Sequence, residues 1–140
     1  MFKQISVWLP NKPGMLKKFL DLLIEFDIEI RAITVAENEE YGVLLLLVNK
    51  PDECIELLDE HDYPVSETEV IAVKMRTDGS NTRGLQEISK VMGENNINID
   101  YLYTALVKNE SLVIMKVDNN EKAIEILKKD GFVIEERESI

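Results

Sequence analysis

The sequence predicts an α+β protein made of two copies of one βαββαβ module packed side by side, and three observations lead there. The first is a repeat at a constant offset of 69 residues. Leu16, Phe19, Leu22 and Leu23 align with Leu85, Ile88, Val91 and Met92, and Ile28 and Ile30 align with Ile97 and Ile99. Leu44, Leu46 and Val48 align with Val113, Met115 and Val117, and Ile55, Leu58 and Tyr63 with Ile124, Leu127 and Phe132. One offset that survives helical and strand-like spacings alike marks a duplication, because unrelated periodicities drift out of phase. The second observation is that each copy alternates between the two periods in one order: strand, helix, strand, strand, helix, strand. The third is the junction, where residues 65–75 run on with no Gly-, Ser- or Pro-rich linker. The copies, residues 1–69 and 70–140, are therefore expected to have little freedom to separate.

In the first copy, residues 2–9 carry apolar side chains on both faces and read as a strand. Residues 10–14 form a turn. Leu16, Phe19, Leu20, Leu22, Leu23 and Phe26 then recur at three- and four-residue spacings, the pattern of an amphipathic helix. Ile28, Ile30, Ile33 and Val35 begin a second strand, residues 38–42 supply a hairpin turn, and Val43 to Val48 is apolar enough to be a central strand. Pro51 and Asp52 open a second helix bearing Ile55, Leu57 and Leu58 and ending near His61, and Val65 to Val70 is the last strand. The second copy repeats the series. It has a strand at Ile71 to Met75, a polar loop from Arg76 to Arg83, a helix from Gly84 to about Glu94, strands at Ile97 to Val107 and Leu112 to Val117, a helix from Asn120 to Lys129, and a strand at Phe132 to Arg137. A four-stranded antiparallel sheet with both helices on one face, reached by two right-handed crossovers, is the ferredoxin-like arrangement.

Composition narrows the function. At 45% hydrophobic and 31% charged residues, the chain of 140 is that of a folded globular protein. Its longest apolar stretch, Val43 to Val48, is far short of the roughly 20 residues that span a bilayer. The N-terminus moves directly into strand-like alternation without a signal peptide's apolar run, so a cytoplasmic location is expected. The formal net charge of -11, divided as -9 over residues 1–69 and -2 over residues 70–140, argues against nucleic acid. One cysteine, Cys54, makes neither an internal disulfide nor a multi-thiolate metal site. No catalytic set, cofactor signature or metal site is expected. The single histidine, His61, sits in a helix-end segment where a cationic ring suits the dipole and the neighbouring acids. Glu37, Glu39 and Glu40 fall at a hairpin tip, where charge meets solvent, and no Walker or dinucleotide motif is present. Ile5, Val7 and the alternation through Val43 to Val48 place apolar groups on both sheet faces, so a homodimer through the face away from the helices, or through a sheet edge, is expected.

The segment that stands out is Leu9-Pro10-Asn11-Lys12-Pro13-Gly14-Met15-Leu16. Pro13 fixes one backbone dihedral, Gly14 permits a conformation or close approach denied to other residues, and the following helix offers backbone donors that suit a carboxylate. The same turn reads equally as a helix cap without a ligand.

Strand, Asn-Lys-Pro-Gly-Met-Leu, amphipathic helix and Asp-Ile-Glu-Ile-Arg together resemble an ACT domain, the small ferredoxin-like module that senses amino acids in metabolic enzymes and regulators. The whole chain resembles stand-alone proteins of two ACT domains in tandem. The resemblance implies an eight-stranded sheet from paired modules, with a free amino acid bound between the first loop of one module and the start of the second strand of its neighbour. The family's asparagine before the Pro-Gly turn matches Asn11, and its asparagine near the start of the second strand matches Asn98; the first copy has Glu29 there. The ligand-binding residues implied are Asn11, Lys12, Pro13, Gly14, Met15 and Leu16, with Asn98, Ile99, Asp100, Tyr101 and Leu102. The backbone N–H groups of Met15 and Leu16 would hold the carboxylate. Asn11, carbonyls near Ile99, or Asp100 would hold the ammonium, and Asn98 the remaining polar atoms. Tyr101 and Tyr103 read as either side-chain pocket or packing. The mirror pocket combines Glu29 with the 78–85 loop, which lacks Pro-Gly. A sensor without an output domain implies a regulated protein outside the chain, and the alternative is a structural or protein-interaction module with no small-molecule ligand.

Overall fold

In the computed structural model the described residues are 1–37, 41–76 and 80–136. The elements are β1 (Phe2–Pro10), α1 (Met15–Glu25), β2 (Ile30–Glu37), β3 (Tyr41–Val48), α2 (Pro51–Glu60), β4 (Val65–Lys74), α3 (Asn81–Glu94), β5 (Ile99–Val107), β6 (Glu110–Val117) and α4 (Asn120–Lys129). The chain divides into two compact units, Lys3–Thr68 and Glu69–Ile140, the latter joined by Met1 and Phe2. β4 runs through this division as one strand. The fold is thus α+β, two tandem ferredoxin-like modules, as the repeat predicts.

In the first unit β3 is central, pairing antiparallel with β1, where Ile5 faces Leu46, and with β2, where Ile33 faces Leu46. On the far side of β1 the Trp8 N–H donates to the Pro64 carbonyl at 3.2 Å as the chain enters β4. In the second unit β6 is central, with Met115 between Ile71 of β4 and Leu102 of β5. The strand expected over Phe132 to Arg137 contracts to a single bridge, Val73 with Ile134. Apolar positions run out there, since Phe132 and Ile134 turn inward while Glu135 and Glu136 follow; Arg137 lies outside the described residues. The hairpin turn expected at 38–42 also falls largely outside them.

Each unit buries one helical stripe. Phe19 and Leu23 of α1 meet Ile5, Val7, Leu44 and Leu46, and the Phe19 ring stands edge-on to Tyr63 with centroids 5.5 Å apart. Ile88 and Met92 of α3 meet Ile71, Val73, Val113 and Met115 in the same way. The duplication extends to backbone detail that side-chain patterns do not show. Asp27 and Asn96, and likewise Asp62 and Gly131, adopt left-handed conformations just past helix ends. The next residue in each case returns its N–H to a carbonyl in the last turn: Ile28 to Leu23, Ile97 to Met92, Tyr63 to Leu58 and Phe132 to Leu127, all at 2.9 Å. These closures satisfy terminal carbonyls and bring an apolar side chain back onto the helix. The β2 register shifts between Ile30 and Ala32, and the β5 register between Ile99 and Tyr101, again 69 residues on.

One helix departs from expectation. α3 starts at Asn81, a turn before Gly84, because Ser80 accepts the Arg83 N–H at 3.2 Å and no Pro-Gly interrupts it. Gly84 is a packing glycine inside the helix: a Cβ there would collide with Met75 Sδ and stand 3.2 Å from the Arg76 carbonyl.

On the sheet faces away from the helices, Leu47, Ala72, Leu112 and Ile114 are buried within the single chain. On the outer strands, Ile33 and Val35 of β2 and Leu106 of β5 are exposed.

Cys54, on the buried face of α2, has its thiol pushed up to about 11 by burial alone. A thiol raised so far stays protonated at pH 8, and the thiolate is the reactive form. Native protein should therefore leave a disulfide reagent such as Ellman's unreacted for hours at pH 8 and release one equivalent promptly in denaturant; prompt native reaction would contradict this burial.

Candidate functional site

The loop after β1 is built by short-range constraints. Lys12 N–H donates to the Pro10 carbonyl at 2.9 Å, and Gly14 takes φ 84, a left-handed conformation, at the N-cap of α1. Nothing lies within 4 Å of where a Gly14 Cβ would stand, so the glycine is there for its dihedral and not for a close approach within the unit. Among the described residues no side chain caps α1. The Met15 N–H, expected to face a carboxylate, closes a long turn bond of 3.3 Å to the Lys12 carbonyl. Asn11, Lys12, Pro13, Gly14 and Leu16 are exposed, and Met15 is half-buried.

The second expected segment belongs to the other unit. Asn98 Nδ2 donates to Asp100 Oδ1 at 3.0 Å, and Lys116 Nζ donates to Asp100 Oδ2, also at 3.0 Å. The Lys116 hydrogen bond, then that from Asn98, holds the Asp100 carboxyl below its usual range. Ile99 and Leu102 pack against the core of that unit. Tyr101 and Tyr103 are half-buried, and burial, with Tyr101 beside it, pushes the Tyr103 hydroxyl upward. Arg31 occupies the first unit's equivalent of the Asp100 bulge, its Nε buried without a hydrogen-bond partner among the described residues.

Beside the first loop, within the first unit, opens a cleft of about 650 Å³, a size suited to a small molecule. One wall is a face of α1, from Met15 through Lys18 and Leu22 to Glu25, with Asp21 beside it. Trp8, Leu9 and Pro10 at the end of β1 form the floor together with Tyr41. The turn from α2 to β4, His61 to Pro64, closes the far side. His61 caps α2 and sends Nδ1 to the Leu57 carbonyl at 2.8 Å, while its ring meets Phe26 edge-on with centroids 6.0 Å apart. That places it as a packed helix-end residue. Asp21 is paired with Lys17 at 2.7 Å. Of the cleft residues, the sequence reading singled out Met15 for ligand binding and missed Trp8, Lys18, Tyr41 and Tyr63. Their signal is the difference between equivalent positions of the two copies, not any motif within one copy.

Among the described residues no group of three His, Cys, Asp or Glu side chains is placed to hold a metal ion, and no helix is long and apolar enough to cross a membrane.

A family model for an ACT domain pair matches residues 1–139. No curated protein matches. Among solved structures, protein BT0572 from Bacteroides thetaiotaomicron is similar at 27% identity and a TM-score of 0.85, over 96% of this chain and 91% of that one. The ligand-free regulatory subunit of aspartate kinase from Thermus thermophilus is similar in fold at 18% identity and a TM-score of 0.66, over 91% of each chain. Clostridium acetobutylicum aspartate kinase shares the fold at 14% identity and a TM-score of 0.60, over 90% of this chain and 32% of that one.

Proposed function

The chain belongs to the ACT domain pair family, a family of non-catalytic regulatory modules that sense small molecules, and from that premise we propose that it binds a free amino acid. In this reading the loop Asn11–Leu16 and the segment Asn98–Leu102 contribute to binding, and the bound state is reported to a regulated protein outside the chain. The observation that carries the reading is the contrast between the two loops. α1 starts behind a left-handed Gly14 with no side-chain cap, and Met15 and Lys18 of that helix line a cleft. α3 begins a turn earlier and caps itself with Ser80. Backbone donors at a helix start turn to a side-chain cap, to a tight-turn bond, to water or to a ligand, and without a side-chain cap they are open to the last of these.

Thermal denaturation with each of the twenty amino acids tests this, since a ligand at about 100 times its Kd adds about 2.7 kcal/mol of stability. Asn11→Ala should then weaken the responding amino acid about tenfold or more, equivalent to roughly 1–3 kcal/mol. Because Asn11 is exposed, the unliganded stability should stay within about 0.5 kcal/mol of wild type. Unchanged affinity in this variant would move the ligand away from the loop.

A cytoplasmic protein with a second copy of itself as partner completes the proposal. The single, buried Cys54 suits a reducing compartment, and Ile33 and Val35, 41% and 53% exposed on the outer strand β2, support the second copy. A module that docks protein without any small-molecule ligand is favoured by one observation, the exposure of Leu16, Ile24 and Phe26 along α1. The absence of any thermal shift across the twenty amino acids would select it.

A further inference from the structure

Where the first unit has its cleft, the second unit carries pairs of opposite charge. The strand registers set Ile5 against Leu46 and Ile71 against Met115, so Trp8 corresponds to Lys74 and Pro10 to Arg76; beyond β1 the 69-residue offset holds. Arg76 lays its guanidinium over the Phe132 ring at 3.5 Å from the centroid, donates to the Asp130 carbonyl and pairs with Glu87 of α3 at 3.7 Å. Lys74 of β4 pairs with Glu110 of β6 at 3.1 Å. Both ion pairs are rewritten in the first unit. Lys74 and Glu110 become Trp8 and Tyr41, while Arg76 and Glu87 become Pro10 and Lys18, and all four replacements line the cleft. Phe132 becomes Tyr63, so the aromatic ring is kept while the guanidinium that covers it gives way to a proline.

These exchanges reverse the charge at the contact. Lys18 stands where Glu87 holds Arg76, and among the described residues it forms no ion pair. On α1 it lies three residues after Met15 and four before Leu22, in the stripe that faces the cleft. An ammonium bordered by apolar side chains and by the rings of Trp8, Tyr41 and Tyr63 suits a ligand with a carboxylate at one end and a flat apolar body beyond it. Of the carboxylates in the cleft, Asp21 is already paired with Lys17 at 2.7 Å, and Glu25 is two turns from Lys18, about 10.5 Å along the axis. Glu25 and Asp62 disfavour a bare anion, whereas a zwitterion brings its own ammonium to meet them.

We infer that the cleft of the first unit takes an aromatic amino acid, its carboxylate on Lys18 and its ring among Trp8, Tyr41 and Tyr63. The choice of an amino acid over another aromatic carboxylate rests on the proposed sensing function; the carboxylate at Lys18 and the aromatic body rest on the comparison of the two units.

Trp8 is the only tryptophan of the chain, so its emission, excited where tyrosine and phenylalanine do not absorb, reports an occupant of the cleft. Titration of the full chain with L-phenylalanine should change that emission and saturate. L-Leucine should bind about three- to tenfold more weakly, and phenethylamine, which keeps the ring and the ammonium but has no carboxylate, at least about tenfold more weakly. Lys18→Met, at an exposed position, should weaken L-phenylalanine about tenfold while leaving the thermal midpoint of the free protein unchanged. Lys18→Arg should retain binding, and so should Lys50→Met, which removes a lysine outside the cleft. If 3-phenylpropionate binds and no amino acid does, the aromatic carboxylate site stands and amino-acid sensing fails. A thermal shift from any amino acid without a change in Trp8 emission would overturn the inference and leave sensing intact, as would tighter binding of L-leucine, L-arginine or L-aspartate than of L-phenylalanine. Binding of L-phenylalanine that is indifferent to Lys18→Met would also overturn it, and so would binding of none of these compounds.

Discussion

Phe19→Ala lowers the unfolding free energy by about 3–5 kcal/mol, the range for emptying an aromatic site in a packed core. Phe19 is fully buried on α1, it packs among Ile5, Val7, Leu44 and Leu46, and its ring meets Tyr63 edge-on. Truncation therefore removes both the apolar burial and the aromatic contact, in a core where neighbours on three elements are too constrained to close the gap. Small domains have only about 5–15 kcal/mol in total, so this single change should bring the protein near the point of unfolding at 37 °C. The control is on the same helix. Ile24 is 74% exposed, and Ile24→Ala should shift stability by no more than about 0.5 kcal/mol. Urea denaturation of both variants checks the pair. Equal losses from the two would show that α1 does not present the Phe19 face to the sheet.

Gly14→Val should weaken the amino acid about tenfold or more and cost about 1–3 kcal/mol of stability, the price of a left-handed conformation in a residue with a branched Cβ. The route is conformational, because the space beyond the missing Cβ is open. A valine at φ 84 has two ways to relax: it distorts the turn, or α1 begins a turn earlier as α3 does. Either rearrangement moves Met15 and the first backbone donors of α1. Ser80→Ala is the counterpart in the other loop. It removes the cap on the Arg83 N–H, costs about 0.5–2 kcal/mol of stability, and should leave amino-acid affinity where it was. Denaturation and calorimetry on the two variants give opposite pairings of stability and affinity. Wild-type affinity in Gly14→Val would remove the first loop from the binding role.

Much of the fold was legible in the sequence because the determinants are local. The central strand β3, the buried stripe of α1 and the paired stripe of α3 are each written in the spacing of neighbouring apolar residues, and the constant offset joined them into two modules. The start of α3 was not legible. Gly84 reads as a boundary in the sequence, yet its glycine serves the approach of Met75, and the true boundary is a single hydroxyl, Ser80, bonding three residues ahead. The loop around Pro13 and Gly14 was recognisable, because a proline and a left-handed glycine act on their own dihedrals. The cleft was not, and only the tertiary structure decided it. Whether a helix end, an aromatic face and a carboxylate surround a cation or an empty space depends on groups brought together across the module, such as Arg76 and the Asp130 carbonyl 54 residues apart. A sequence window records the burial each residue seeks, but the pairing of one buried surface with another is fixed only when the chain closes, since distant charges and rings gain energy from distance in space and none from order along the chain.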